Sequence, residues 1–178
     1  LTLVAALMNL RLLVTALAAL TTLTSCGITG LYDGQRASAR LQSRSGSHVT
    51  GWVIFTQVGD RVRVTGDLAG HTPGPKGFHI HEKGDCTAPD AMSAGGHFNP
   101  GNVKHGAPGE GHAGDFGNIV FDDYGSATIN MMVSGVSVSK DKPNGIIGRA
   151  VLIHAQSDDL KTDPTGNAGC RVACGVID

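Results

Sequence analysis

The chain has 178 residues, a formal net charge of −1 and an apolar share of 40%, enough for one sizeable core and one domain as the starting expectation. With 14 basic against 15 acidic residues, it lacks the cationic surplus that a nucleic-acid partner requires. Its 26 glycines and an aromatic share of only 4% favour turns and irregular loops, hence a β-rich protein over a helical bundle.

Residues 1–25 carry one charge, Arg11, and an apolar run, LLVTALAAL, of signal-peptide length. Asn9 and the threonines interrupt it, and a spanning helix needs about 20 unbroken apolar residues. The segment closes on Leu23-Thr24-Ser25-Cys26, which resembles the lipobox of bacterial lipoproteins, where cleavage precedes the cysteine and its thiol is lipidated. An ordinary signal peptide with an incidental cysteine is the alternative. Both predict an exported chain in the periplasm or cell envelope, where disulfides are permitted. The first adds membrane attachment through Cys26. Residues 26–36 then read as a flexible tether and 37–178 as the folded domain. With Cys26 set aside, Cys86, Cys170 and Cys174 remain, an odd number that implies one disulfide and one free thiol.

Eight short strands are predicted, at 37–43, 48–57, 61–68, 78–82, 115–122, 125–133, 148–154 and 170–177. The alternation is cleanest in 61–68, where Val62 and Val64 face one way and Arg61 and Arg63 the other. Gly59-Asp60 marks one hairpin turn, and Asp123-Tyr124-Gly125 marks another, between the fifth and sixth strands. Residues 71–77 (HTPGPKG) read as loop. The stretch 83–113 is far longer than an ordinary connection, and such loops are usually functional. A second loop covers 155–169. No helical period competes, so the architecture is an antiparallel sandwich or barrel.

The chemistry concentrates in 77–115. His79 and His81 are two apart in a strand, so both point from one face; alone, the pair fits a solvated face better than a metal site. His97, His105, His112 and Asp115 supply three imidazoles and a carboxylate within one Gly-rich loop, a donor set that suits tetrahedral zinc. His154 ends an apolar strand. Two four-coordinate sites need about eight ligand positions. These seven residues suffice if one histidine serves both ions through its two ring nitrogens, which spacing alone does not establish.

The segments GFHIHEKGD, SAGGHFNP, KHG, HAGDFGNI, GRAVLIHAQSDDL and TGNAGCRVACGVI resemble, in order, the signature segments of copper,zinc superoxide dismutase. The exported bacterial branch is the better match. The resemblance implies an all-β fold, an eight-stranded antiparallel Greek-key β-barrel or sandwich of immunoglobulin-like architecture with two long functional loops. It implies one copper per subunit on His79, His81, His97 and His154. It implies one zinc on His97, His105, His112 and Asp115, with His97 as the bridge. Asp158 then links a copper histidine to a zinc histidine from outside the metals, Arg171 guides the anion, and Cys86 pairs with Cys174. The implied reaction is dismutation of superoxide to dioxygen and hydrogen peroxide, by a monomer or homodimer. Cys170 departs from the small residue expected beside Arg171. Lys83 and Lys161 are candidate steering charges, and His48 and His71 read as surface residues. A metal-storage or copper-delivery protein, a purely structural zinc domain and an exported copper-only relative, which would lack the zinc ligands, are the competing readings. The second would leave His79, His81, His154 and Arg171 without a purpose.

Overall fold

The computed structural model describes residues 34–178. The expectations for the signal segment, for Cys26 and for most of the tether fall outside them. Eight strands form: β1 (Arg36–Ser43), β2 (Thr50–Val58), β3 (Arg61–Ala69), β4 (Gly74–His81), β5 (Asp115–Phe121), β6 (Ser126–Val133), β7 (Ala150–His154) and β8 (Arg171–Val176). The helical content of the described residues is one 3-10 turn, Met92–Ala94. The strands hydrogen-bond in the order β5-β4-β7-β8-β1-β2-β3-β6, with every pairing antiparallel. β1 joins the two halves. Its residues Arg36 to Leu41 pair with β2, and Gln42 and Ser43 pair with β8.

The alternating strands behave as their patterns dictate. In β1, Ala37, Ala39 and Leu41 are buried, and in β3 Val62, Val64 and Leu68 are. Together with Val53, Phe55, Phe78, Ile80 and Phe121 they form the barrel interior. β4 and β7 are different, because both of their faces are covered. Val151 and Ile153 of β7 point into the barrel. Leu152 and Ala150 pack outward on Ala91, Ala94 and Cys174. The long loop after β4 therefore lies on the outside of the β4–β7–β8 sheet, and the space between sheet and loop is where the histidines sit.

Two expectations are corrected. β4 starts at Gly74 rather than at 78, because Gly74, Pro75 and Lys76 pair with Phe121, Val120 and Ile119. β7 joins the other side of β4 only from Phe78, so Pro75 blocks no ladder there. The turn between β5 and β6 forms, with the Asp122 amide donating to the Ser126 carbonyl at 2.8 Å. The strands it joins do not pair with each other, however. β5 pairs with β4 and β6 with β3, so the turn crosses the open seam of the barrel. Period-two alternation fixes which face a residue takes, not which strand lies beside it.

Phe55 is fully buried in the barrel interior. Phe55→Ala should lower the unfolding free energy by about 3–5 kcal/mol, read from urea melts of the metal-free protein. A loss below about 1 kcal/mol would contradict the assigned core.

Candidate metal centre

His79 and His81 leave the outer face of β4, opposite Phe78 and Ile80, which enter the barrel. β7 lies beside β4 and ends at His154. The long loop is laid along β4 by main-chain bonds. The Ile80 amide donates to the Gly114 carbonyl, the Phe98 amide to the Ile80 carbonyl, and the Glu82 amide to the Gly96 carbonyl, each at 2.9 Å. That seating puts His97 against His81, and Asp115, the first residue of β5, pairs with His79. All seven predicted ligands, and Asp158, are buried.

They sort into two groups whose donor atoms lie within 4.8 Å of one another: His79, His81, His97 and His154, and His97, His105, His112 and Asp115. His97 belongs to both, as the sequence allowed.

For the four rings bonded to acceptors outside the two groups, the hydrogen bonds decide which nitrogen is offered. A carboxylate or carbonyl only accepts, so the nitrogen facing it carries the proton and the other keeps a lone pair. His79 donates through Nε2 to Asp158 Oδ2 at 2.7 Å. His81 donates through Nδ1 to the Gly95 carbonyl at 3.0 Å, and His154 through Nδ1 to the Gly169 carbonyl at 3.2 Å. His105 donates through Nε2 to Asp158 Oδ1 at 2.9 Å. The opposite atoms, His79 Nδ1, His81 Nε2, His154 Nε2 and His105 Nδ1, are buried without a hydrogen-bond partner, and so is His97 Nε2. Buried polar atoms are rarely left so. Four of these five belong to one group and converge on one point, which is what four ligands aimed at a cation look like.

The second group is built around Asp115. Its Oδ1 lies 2.8 Å from His97 Nδ1 and 3.2 Å from His112 Nδ1. Its Oδ2 lies 3.0 Å from His105 Nδ1, yet that nitrogen has no aligned hydrogen bond. The two atoms face a common point rather than each other. Oδ2 also accepts from the amides of Gly106 and His112. Three imidazoles and a carboxylate in this arrangement fit a zinc-type ion, and four imidazoles fit copper.

Burial is the main cause of the site's titration behaviour. It pushes His154 down to about 3, helped by neighbouring His79, and His97 down to about 4, against the opposing pull of Asp115. His81 lies well below the ordinary range for the same reason. Burial raises Asp115, but the hydrogen bond from His97 and the fields of His97 and His105 outweigh it and bring the carboxyl to about 2. Neutral rings and an ionised acid are the states a metal needs.

Asp158, on the second loop, touches both groups at once, through His79 and His105. Gly166 packs so closely on it that a side chain there would strike Asp158 and His105. Arg171 is half-buried. It donates to the Ala91 carbonyl at 2.8 Å and to the Gly95 carbonyl at 2.7 Å, and the Gly95 carbonyl is the acceptor that also holds His81. Cys86 and Cys174 form a disulfide, and Cys170 is free and exposed. Lys83, Lys161 and His48 are exposed.

Sequence reasoning missed two features. Asp163 accepts from the His105 amide at 2.8 Å and lies 4.0 Å from His112 Nε2. Its only sequence signal is a second acid five residues after Asp158. His71 is not a plain surface residue: it is half-buried, bonded to the His154 carbonyl and tilted on Phe121. Burial lowers its pKa.

Two adjoining cages with a shared imidazole, on an antiparallel barrel, define a two-metal protein. The model of the copper/zinc superoxide dismutase family matches residues 49–177, and the chain belongs to that family. It is a superoxide dismutase, with copper and zinc as cofactors. The fold is also similar to a solved structure described as the clock protein EA4, with a TM-score of 0.74 and 44% identity, covering 83% of this chain and 96% of that one.

In the metal-free protein, His97 and His154 refuse protons that the unfolded chain takes up below about pH 6.5. Stability should therefore fall as pH drops from about 6.5 towards 4. Urea midpoints at pH 7.5 and 4.5 test this, and equal midpoints would contradict the burial of these rings.

Proposed function

We propose that His79, His81, His97 and His154 hold copper, that His97, His105, His112 and Asp115 hold zinc, and that His97 bridges them. The observation that carries the assignment is the set of buried ring nitrogens left without partners in the first group. Copper held there would supply the redox change by which one superoxide is oxidised to dioxygen and a second is reduced, with two protons, to hydrogen peroxide.

The chain's own residues do the rest. His97 faces the copper group with Nε2 and the zinc group with Nδ1. Nε2 is the atom that takes up a proton in one half of the cycle and gives it to the departing product in the other. Asp115 steadies the ring through that exchange. Asp158 keeps His79 and His105 in the tautomers that leave Nδ1 free on each. Arg171 supplies the anion-capturing charge, and its two carbonyl partners fix the guanidinium on the loop that carries His97. Electrostatic steering of this kind is known from superoxide dismutases as a class.

The apolar leader, the lipobox-like Cys26 and the Cys86–Cys174 disulfide support export to the cell envelope with attachment through Cys26, since structural disulfides belong to oxidising compartments.

His154→Ala should abolish activity and copper binding while zinc is retained, by metal analysis of the purified protein. Loss of both metals, or full activity, would contradict the assignment. Arg171→Ala should keep both metals and lower kcat/KM about tenfold or more, with a flatter dependence on ionic strength. An unchanged rate would remove Arg171 from the mechanism.

A further inference from the structure

Against the main chain of His154 and Ala155 lies a polar cluster that the proposed reaction does not use. Lys76, on β4, is buried. Its Nζ donates to Thr72 Oγ1 at 3.0 Å and to the Ala155 carbonyl at 3.3 Å. Among the described residues no carboxylate lies within ion-pair distance of it. A buried ammonium without a counter-charge is costly, and a methionine would fill the same space without that cost. Thr72 Oγ1 in turn lies 3.2 Å from His71 Nδ1, and His71 Nε2 lies 3.1 Å from the His154 carbonyl.

The direction of these bonds is fixed by what each atom can do. The His154 carbonyl only accepts, so His71 carries its proton on Nε2 and accepts at Nδ1. Thr72 receives from Lys76, which only donates, and passes its own hydroxyl proton to His71 Nδ1. The result is a one-way chain from an ammonium to the main-chain oxygen of His154, in which each bond polarises the next. A side branch from the same ammonium holds the carbonyl of the following residue, Ala155. The cluster sits where β7 ends and its pairing with β8 slips between Ile153 and His154, so the ladder alone holds this point less firmly. On the far side the His154 ring is held through Nδ1 by the Gly169 carbonyl.

We infer that Lys76, Thr72 and His71 are positioning residues that fix the backbone of His154, and so the place of its Nε2, through its main-chain oxygen. The inference rests on the assignment of His154 to copper. It makes the copper geometry of this chain depend on three side chains that touch neither metal nor substrate.

The test is copper affinity by competition with a chromophoric chelator, together with the Cu(II) EPR spectrum and the zinc content, on the zinc-loaded protein. Lys76→Met and His71→Leu should each weaken copper binding about 10- to 100-fold and shift the EPR parameters, with zinc unchanged. Lys76→Arg and His71→Gln, which restore a donor, should recover most of the loss. Thr72→Val removes the middle hydroxyl at an exposed position, so its folding is secure, and it should move both readouts in the same direction. Wild-type copper affinity and EPR in Thr72→Val and in the folded Lys76 and His71 variants would overturn the inference. So would loss of zinc in parallel with copper. A wild-type protein that takes up zinc but no copper would instead overturn the assignment of His154, and the inference with it.

Discussion

An imidazole has two nitrogens, and a metal site works only if the right one is free. In this protein that choice is made by acceptors outside the metal groups. Asp158 accepts hydrogen bonds from Nε2–H of both His79 and His105, so both rings turn Nδ1 inward. The Gly95 and Gly169 carbonyls accept hydrogen bonds from Nδ1–H of His81 and His154, so these rings turn Nε2 inward. Removing any of these acceptors would leave the histidine in place but free to present the wrong atom. The constraint is strict because every ring is buried, where no water can substitute for a missing partner.

The barrel serves this constraint by giving the rings two walls. β4 and β7 form the rigid wall, with the barrel core behind it. The loop from 82 to 114 forms the other, zipped to β4 by main-chain bonds and tied to β8 by the disulfide between residues 88 apart in sequence. Arg44 adds a further tie, donating from Nε to the Cys86 carbonyl at 2.8 Å. The Gly95 carbonyl on that loop serves His81 and Arg171 together, so the metal group and the Arg171 guanidinium share one support. Closing a loop of this length by a disulfide contributes a few kcal/mol in the chain-entropy model, about 4–5 for a loop of roughly 100 residues. Its larger consequence here is positional, since the loop carries His97, His105 and His112 and both acceptors of Arg171.

Much of this was legible in the residues. The three histidines closed by Asp115 show themselves by density in a Gly-rich loop, whereas strand alternation puts His79 and His81 on one face without separating them from a solvated pair. His154 and Asp158 were not separable from an ordinary core histidine and a solvated loop acid. Their roles came only with the family resemblance. Other parts were out of reach for a physical reason. The Gly95 and Gly169 carbonyls are main chain, and no residue code marks an acceptor. The divergence of β5 from β6 depends on which strands lie side by side, which alternation does not encode. His71, Thr72 and Lys76 were hidden in a stretch that reads as loop. Lys76 belongs to a strand whose first three residues pair on one side only, so the usual strand signal is weak there.

The central claim is that one ring, His97, lies between two different ions. Anomalous difference maps at the copper and zinc edges, on crystals loaded with both metals, test it most directly. The account predicts copper among His79, His81, His97 and His154, bound through Nδ1 of His79 and Nε2 of the others. It predicts zinc among His97, His105, His112 and Asp115, with the His97 ring contacting both. A His97 ring bound to one ion alone in the oxidised protein, or copper bound through the nitrogen that faces Asp158, would contradict it.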